Sequence, residues 1–407
     1  MHPTPGLGLL LAGLLVVKGF PEHKPSPNGE VSKGKQTAQE LARRNTEFGF
    51  RLFKKLASTE PHGNIFFSPL SLSTAFSMLS LGAQDSTLEE IQRAFCFHDM
   101  PDKELHEGFH YLIQELNQQN QDLKLDLSNI LFIDRGLQPR QKFMTDVKSL
   151  YNADTIPTDF HNLEATQKQI NDYVHQKTHG KISNLIKRID SGTVMLLINY
   201  IYFRARWKHE FDPKQTREED FMLGQNKSVK VPMMFQGGMF KVGYDNQLSC
   251  TVLEMPYQKD FMAMFILPDV GKVEAVEEAM VTKVMLKWKK MITERVVDVF
   301  MPKFTITGTY NLKKLFSHLG ITKIFEEHGD LTRISPHRSL KVGEAIHKAN
   351  LRLDEKGSEG AAGTGAQTLP MEKPEEVRFN RTFLMMICQE KTSSVLFLGK
   401  ITNPAGS

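Results

Sequence analysis

The chain contains 407 residues, of which 40% are hydrophobic and 24% are charged, with 28 Gly and 19 Pro. This composition is that of an ordinary globular protein, and it excludes collagen-like, low-complexity and wholly disordered chains. The formal net charge of +4 is too small to favour binding to nucleic acid. The three cysteines, Cys96, Cys250 and Cys388, are too few and too scattered for a disulfide framework or a zinc site, so burial must stabilise the fold.

The N-terminus has the pattern of a secretion signal. An uncharged apolar stretch from Gly6 to Val17 is followed by Lys18 and Gly19, which predicts a signal peptide over residues 1–19 and a secreted protein. No Lys or Arg precedes the stretch, and a buried core helix is the alternative interpretation. The stretch is too short to cross a bilayer, so we expect no membrane span. Residues 20–36 lack apolar periodicity, which predicts a flexible lead.

Helical patterns dominate the first half of the chain. Thr37 and Glu40 have the spacing of a capping box, and apolar residues recur on one face after them, which predicts a helix that begins at residue 37. Ser68 and Pro69 have the pattern that opens a second helix. Four more helical patterns follow, at residues 86–95, 102–118, 140–150 and 163–177.

Strand patterns dominate the second half. Short apolar runs bounded by turn residues suit strands that are buried on both faces. The separation of helices from strands predicts an α+β fold. No linker interrupts residues 37–350, so we expect one large domain over residues 37–407. The apolar runs lie at residues 194–203, 261–267, 383–387 and 395–398.

Two N-glycosylation sequons fit a secreted protein. Asn226-Lys227-Ser228 lies in a polar turn between two strand-like runs, where a glycan is easily placed. Asn380-Arg381-Thr382 directly precedes an apolar run that is typical of a core strand, which argues against its use.

One short motif has the letters of a zinc peptidase. His106-Glu107-Gly108-Phe109-His110 is an HExxH pattern inside a helical segment, where two imidazoles on one face bind zinc and the glutamate acts as a general base. No third ligand follows at the usual spacing, and the flanking residues are those of a solvated helix. We therefore interpret the motif as a chance match and expect neither a metal nor enzyme activity; measuring bound zinc is the check.

A small-residue segment after Lys356 is the most informative part of the chain. Its composition alone favours a flexible linker. As a strand, however, one face would carry Ser358, Gly360, Ala362, Thr364, Ala366 and Thr368, which are all small and uncharged. The charged Glu359 falls on the other face with Gln367, so the segment can enter a sheet over a core without burying a charge. No helix start follows these glycines, and no lysine lies where a phosphate-binding loop needs one. We therefore expect no nucleotide site and no cofactor.

Several separate motifs are spread in order over residues 37–405. They are Asn64–Ser71, Thr178–Ile182, Leu197–Phe203 with Trp207, Ile266–Asp269, Met301–Phe304, Val342–Ala349 and Phe397–Pro404. Together with the hinge at Gly357, these motifs resemble the serpin family, in particular its antitrypsin-like clade. The resemblance implies three β-sheets, eight or nine helices and an exposed reactive loop at residues 355–375.

The resemblance also implies a mechanism of inhibition. A serine protease attacks the loop after Met371 and forms an acyl-enzyme, and the freed loop then enters the main sheet and carries the protease with it before deacylation. Met371 has no charge, which favours a chymotrypsin-like protease over a trypsin-like one. Within that group we expect a protease of the kallikrein class. Glu372 slows attack, so we expect the inhibitor to depend on a basic exosite of the protease or on a bridging polyanion. We expect a monomer.

Family position assigns roles to further residues. The hinge is formed by Gly357, Ser358, Glu359 and Gly360. The inserting face carries Ala362, Thr364, Ala366 and Thr368. Because Gly360, Gly363 and Gly365 lower strand propensity, we expect slow insertion and some cleavage as a substrate.

Two polar groups are expected inside the main sheet. By family position, Ser68, Asn199 and His347 lie under the opening of the sheet. The residues that resemble the region where insertion begins are Trp207, Lys303 and Glu344. Simple satisfaction of buried hydrogen bonds is the alternative interpretation of both groups.

Basic residues near the ends of the sheet strands suggest a site for heparin or a related glycosaminoglycan. They are Lys181, Arg204, Arg206, Arg352 and Lys356. Ordinary solubilising charge is the alternative interpretation. For the whole protein, the alternative function is a non-inhibitory serpin that acts as a carrier or a hormone-like (adipokine) binding protein. A hinge with bulky or charged inserting residues would favour that alternative, and this hinge has none.

Overall fold

A computed structural model describes residues 27–117, 123–178, 180, 182–224, 226–336, 340–357 and 374–406. Within these residues the chain forms nine α-helices. They are α1 (Pro27–Thr59), α2 (Pro69–Ser80), α3 (Asp85–Ala94), α4 (Asp102–Leu116), α5 (Gln141–Tyr151), α6 (Leu163–Lys177), α7 (Val273–Ala279), α8 (Thr282–Met291) and α9 (Leu312–Ser317). None of the helices in this part of the chain is long and apolar enough to cross a membrane.

The same residues form fourteen strands. They are β1 (Ile65–Phe67), β2 (Leu123–Asp134), β3 (Asp154–Thr158), β4 (Met195–Ala205), β5 (Arg217–Gly224), β6 (Lys227–Asp245), β7 (Cys250–Pro256), β8 (Phe261–Pro268), β9 (Thr293–Pro302), β10 (Phe304–Asn311), β11 (Glu344–Leu353), β12 (Glu375–Arg378), β13 (Phe383–Gln389) and β14 (Ser394–Ile401). Helices dominate the first half and strands the second, so the predicted α+β class is confirmed.

Helix α1 begins ten residues before the predicted start. It includes residues 27–36, which were expected to be part of a flexible lead, and the proposed capping pair of Thr37 and Glu40 lies in its interior. Pro27 suits a first turn because that position has no hydrogen-bond partner for an amide hydrogen. Gly34 lies against the ring of Tyr111, with 3.2 Å between that ring and the position of an added Cβ. Tertiary packing therefore extends a helix that the sequence pattern alone does not require.

Five strands form the main sheet, in the order β10-β11-β4-β2-β3. The central neighbours β4 and β11 run parallel, with Leu196 opposite Glu344 and Tyr202 opposite Asn350. All other pairs in this sheet are antiparallel except β2 with β3. Because β4 and β11 are parallel, a strand placed between them and antiparallel to both would complete the sheet without changing either direction.

The remaining nine strands form one hydrogen-bonded network. Strand β6 is 19 residues long, and it pairs with β5 and β9 along its first part and with β7 at its end. The resemblance implies three sheets. The described residues form two hydrogen-bonded sheets, because the continuous strand β6 joins two of the expected three into one.

The main sheet is covered on both faces. On the inner face, helix α2 is buried along its whole length, and its first turn is capped by Ser68, whose hydroxyl accepts a hydrogen bond from the amide of Ser71 at 3.1 Å. On the outer face, α6 buries Ile170 and Val174 in a separate apolar cluster. This double coverage explains why β4 reads as a continuous apolar run rather than an alternating one.

Candidate functional site

The boundary between β4 and β11 is the centre of the candidate site. We call it the seam, and it consists of residues 196–202 of β4 paired in register with residues 344–350 of β11. Alternate residues of both strands face α2 and the core, and the others face outward toward α6. The seam is therefore a line along which the sheet can admit one more strand.

At the head of the seam the chain turns back on itself. The amide of Asp354 donates to the carbonyl of Gly357 at 2.8 Å, and the amide of Gly357 donates to the carbonyl of Asp354 at 3.1 Å. Gly357 also forms an antiparallel bridge with Arg206, which follows β4. Gly357 thus pairs with both sides of the head of the seam, in the direction that a strand between them would take.

Only glycine fits at residue 357. Its φ is +121°, and a Cβ there would lie 2.2 Å from the carbonyl oxygen of Ala205. Any side chain would therefore clash with the backbone of β4 as well as strain the turn.

Buried contacts fix this hairpin in place. The indole of Trp207 stacks on Tyr257 with 4.1 Å between ring centroids, and its Nε1 donates to the carbonyl of Asp354 at 3.1 Å. The carboxylate of Glu355 accepts from Lys303 Nζ at 2.8 Å and from Thr216 Oγ1 at 2.9 Å. Burial alone would raise the pKa of Glu355, but these hydrogen bonds hold it below its ordinary value.

The structure corrects one expected grouping. Glu344 lies at the first residue of β11, at the other end of the strand from the hinge, where its carboxylate accepts from Asn311 at 3.2 Å. The partner of Lys303 is Glu355 instead. Burial and the neighbouring Asp190 raise the pKa of Glu344. Sequence reasoning missed Glu355 because only the fold brings it next to Lys303, which lies 52 residues earlier in the chain.

The structure brings the predicted residues Ser68, Asn199 and His347 together between α2 and the main sheet. The amide of Ser68 donates to His347 Nε2 at 3.1 Å, so the ring hydrogen lies on Nδ1, which is 2.6 Å from Asn199 Oδ1. Ser71 donates to the same amide oxygen at 3.0 Å, and Asn199 Nδ2 donates to Asn129 Oδ1 at 2.7 Å. Ser71 and Asn129 were not predicted, although alternation along β2 would have placed Asn129 on the inner face.

His347 is fully buried in this cluster, and burial lowers its pKa to about 3. The imidazole is therefore neutral at physiological pH. Each ring nitrogen makes a hydrogen bond while β4 and β11 are paired, so the neutral ring leaves no hydrogen-bonding group unpaired.

Most of the predicted basic residues lie near the head of the seam. Lys124 on β2 is opposite Arg204 on β4, and the register of the seam places Arg352 on the far side of Arg204. Three cations therefore lie in a row across three neighbouring strands. Lys356 belongs to the hairpin, and Arg206 bridges to Gly357. Lys124 was not predicted, and Lys181 lies outside the described residues.

Residues 358–373, the greater part of the predicted reactive loop, lie outside the described residues. The predicted positions in it are Ser358, Glu359, Gly360, Ala362, Thr364, Ala366, Thr368, Met371 and Glu372. The description resumes at Pro374, and strand β12 then pairs in parallel with β9. The two ends of the loop are thus anchored in different sheets.

The two histidines of the HExxH motif take part in helix packing. His106 Nδ1 lies 2.5 Å from the hydroxyl of Tyr151 on α5, and burial lowers the pKa of His106 to about 4. His110 contacts the carbonyl of Leu150 and the amide of Gln114. Among the described residues, no three His, Cys, Asp or Glu side chains are grouped to hold a metal ion. The motif joins α4 to α5.

The two sequon asparagines differ in exposure. Asn226 is exposed in the turn between β5 and β6, with a φ of +58°. Asn380 is partly buried, and its carbonyl accepts from the amide of Met222 at 2.7 Å. Asn226 is therefore the more accessible of the two asparagines.

Comparison with known proteins agrees with this architecture. The chain is 60% identical to Serpin A12 of Homo sapiens over the full length of both chains, and 38% identical to Alpha-1-antiproteinase of Rattus norvegicus over 99% of this chain and 100% of that one. Its fold is similar to human thyroxine-binding globulin complexed with thyroxine, with a TM-score of 0.85 and 38% identity over 90% of this chain and 99% of that one. Residues 43–404 match the family model Serpin (serine protease inhibitor), so this chain belongs to the serpin family.

Proposed function

We propose that this serpin is a secreted inhibitor that traps a chymotrypsin-like serine protease by inserting its cleaved loop into the seam. The observation that carries the proposal is the double pairing of Gly357, with Asp354 on one side and Arg206 on the other. The first residue of an inserted strand is already in place before cleavage. Insertion then needs only the separation of β4 from β11.

The two bridges of Gly357 define the register of that strand. Because the inserted strand would run antiparallel to both neighbours, each residue further along it from Gly357 would lie beside residues one position earlier in β4 and β11. Continued seven residues, this brings Thr364 between Asn199 and His347, which are themselves paired across the seam. Two independent bridges and the seam register agree on this position, so the small inserting residues would face the inner polar cluster.

The loop is long enough for the task. Fourteen residues separate Ser358 from Met371 inclusive, and at about 3.3 Å per residue they extend over roughly 46 Å. A domain of this size is about 54 Å across. Full insertion would therefore carry a protease bound at Met371 almost from one end of the molecule to the other.

The class of target follows from the residues of the cleaved bond. Met371 offers an unbranched apolar side chain, which suits the pocket of a chymotrypsin-like protease, and we favour the kallikrein class. Glu372 places a negative charge beside the bond and slows attack. A basic exosite on the protease, or a polyanion that holds both proteins, would offset that charge.

A polyanion of the heparin type would bind at the head of the seam. The row formed by Lys124, Arg204 and Arg352, with Arg206 and Lys356 nearby, places basic side chains near the ends of three inner strands of the main sheet. Arg352 is exposed and also pairs with Asp354 at 3.3 Å, while the other four are partly buried. We include Lys181 by sequence position. The weak overall charge of +4 is compatible with this local concentration.

We further propose the organisation of the whole chain. Residues 1–19 are a signal peptide, residues 37–407 form a single monomeric domain, and Asn226 carries a glycan. The first part of the proposed lead, residues 20–26, precedes α1, while the rest is helical.

The alternative function is that of a carrier or hormone-like (adipokine) binding protein. The similarity to thyroxine-binding globulin favours it, because that serpin was solved with a bound hormone. The two functions differ in one outcome: an inhibitor forms a covalent adduct with a protease, and a carrier does not.

The test is to mix the protein with a panel of chymotrypsin-like serine proteases and separate the products on an SDS gel. We expect an SDS-stable adduct with at least one of them. With a second panel, of trypsin-like proteases, Met371→Arg should form the adduct that the unchanged protein does not form there. If every protease in both panels yielded only cleaved inhibitor, the proposed function would be wrong and the carrier function would be favoured.

A further inference from the structure

Two carboxyl groups face each other at the end of the seam that lies away from the hinge. Glu344 is the first residue of β11 and is paired with Leu196 of β4. Its partly buried carboxyl lies within hydrogen-bonding distance of the carboxyl of Asp190, which is exposed in the loop that leads into β4. One carboxyl group therefore belongs to each side of the seam.

The backbone around these two side chains is closely packed. Asp190 begins a tight turn, in which its carbonyl accepts a hydrogen bond from the amide of Thr193 at 3.2 Å. The amide of Gly343 donates to the carbonyl of Met195 at 2.9 Å. A Cβ at residue 343 would lie only 2.7 Å from the side chain of Thr193. The two carboxyl groups are therefore carried by backbone segments that are in direct contact with each other.

The other groups that face Glu344 do not neutralise the pair. Asn311, the last residue of β10, donates to Glu344 at 3.2 Å through its side-chain amide and brings no charge. Lys313 on α9 acts on Glu344 from a distance and forms no ion pair with it within the described residues. Burial and Asp190 outweigh Lys313 and Asn311, and the pKa of Glu344 is therefore raised.

We propose that Asp190 and Glu344 form a pH-sensitive latch, which holds the two sides of the seam together when they share one proton and loosens when both are charged. Two adjacent carboxylates repel each other, whereas a carboxylic acid donates a strong hydrogen bond to a carboxylate. Glu344 is the more buried of the two, so it takes the proton and Asp190 accepts the hydrogen bond. The latch needs neither the reactive loop nor a protease, so the inference does not rest on the proposed function.

The direction of the pH effect follows from the raised pKa of Glu344. Because the folded-state pKa lies above the ordinary value of 4.5, the protonated pair stabilises the closed seam fully below pH 4.5. This stabilisation is lost as the pH rises through the raised pKa of Glu344. The latch is therefore strongest in acid and weakest at neutral pH, which is the opposite of the effect of the buried His347.

Hydrogen–deuterium exchange, followed by mass spectrometry of short peptides, measures the latch locally. The peptides contain the amides of Thr193 and Gly343, and each exchange rate is divided by the intrinsic rate at the same pH. Between about pH 5 and about pH 7 we expect protection of the unchanged protein to fall by a factor of about three, since exposed charge pairs typically contribute energies of that size. Glu344→Gln keeps a side chain that can donate to Asp190 but does not titrate, so its protection should be the same at both pH values. The same pH dependence in this variant as in the unchanged protein would overturn the inference.

Two further variants separate the latch from general effects of charge. Glu327→Gln is the matched control, because Glu327 is an exposed acid that pairs with Lys341 at 3.1 Å. It should leave the pH dependence of both amides as it is in the unchanged protein. Asp190→Lys replaces repulsion with attraction at neutral pH, so protection near neutral pH should exceed that of the unchanged protein. If Asp190→Lys left that protection unchanged or lowered it, or if Glu327→Gln abolished the pH dependence, the pair would not be the latch.

Discussion

His347 of β11 and Asn199 of β4 hold the two sides of the seam together through a buried hydrogen bond of 2.6 Å between Nδ1 and Oδ1. The same two residues are directly opposite each other in the strand register. Opening the seam must break this bond, and an arriving side chain must replace it. Because unsatisfied buried polar groups are costly, the residue that arrives between them has a defined chemical task.

The register makes Thr364 that residue, and its hydroxyl can both donate and accept. Thr364→Arg would place a charge against the buried His347 and Asn199, so we expect cleavage after Met371 without trapping. Thr364→Ser keeps the hydroxyl and should trap protease nearly as well as the unchanged protein. The ratio of adduct to cleaved product on an SDS gel measures both. Efficient trapping by Thr364→Arg would show that the inward-facing register is wrong.

Acid should destabilise the closed protein through His347. Its folded-state pKa of about 3 lies below the ordinary value of 6.5, so protonation favours the unfolded chain. The stability that the neutral ring provides is complete above pH 6.5 and is lost as the pH falls toward 3. We expect this residue alone to lower the free energy of unfolding on the order of 2 kcal/mol between pH 7 and pH 5.

Urea unfolding at several pH values measures this effect. His347→Gln removes the titrating group, so the free energy of unfolding of that variant should depend less steeply on pH than that of the unchanged protein. Only this dependence on pH is compared, and not the absolute stability, because the variant also loses a hydrogen bond at neutral pH. His106, with a pKa lowered to about 4, titrates in both proteins and cancels. The same pH dependence of the unfolding free energy in both proteins would contradict the prediction that acid acts through His347.

The ion pair of Glu355 and Lys303 should control the stability of the hinge. Glu355→Lys would place two cations together and would remove the hydrogen bond from Thr216. We expect the free energy of unfolding to fall by about 2 kcal/mol, less than when one partner of a fully buried pair is removed, because the Lys303 side chain is 36% exposed and the Glu355 side chain 9%. The charge-reversed double variant Glu355→Lys with Lys303→Glu should recover part of the loss. A double variant less stable than Glu355→Lys alone would rule out direct pairing.

Heparin should bind at the head of the seam and bind less tightly after insertion. Arg352→Ala should weaken binding and reduce its dependence on salt, whereas Lys142→Ala, at an exposed site on α5, should not. In the inserted register Glu359 would fall between Arg204 and Arg352, so loop-cleaved protein should bind more weakly than intact protein. Titration of both forms with heparin at several salt concentrations measures this. Equal affinity of the two forms would place the site elsewhere.

Local signals in the sequence predicted single elements well. Helix α6 was predicted over residues 163–177 and occupies those residues, because Asn162 caps it by accepting from the amide of Ala165 and Thr178 ends it. The apolar runs of β4, β8, β13 and β14 were found for a similar reason, since strands covered on both faces need apolar residues at every position.

Contacts between distant elements could not be predicted in the same way. Nothing near Lys303 in the sequence identifies Glu355 as its partner, and family position led to Glu344, which lies at the opposite end of β11. Lys124 joins the cationic row only through the pairing of β2 with β4. The early start of α1 likewise depends on packing against Tyr111 rather than on a local capping signal.

The central claim is that trapping requires β4 and β11 to separate, and a reversible cross-link across the seam tests it most directly. Tyr202 and Asn350 are opposite each other and partly buried, so Tyr202→Cys with Asn350→Cys should form a disulfide on oxidation. With a protease that the unchanged protein traps, we expect the reduced double variant to form the SDS-stable adduct and the oxidised one to be cleaved without trapping. An oxidised variant that trapped protease as well as the reduced form would contradict insertion between these strands.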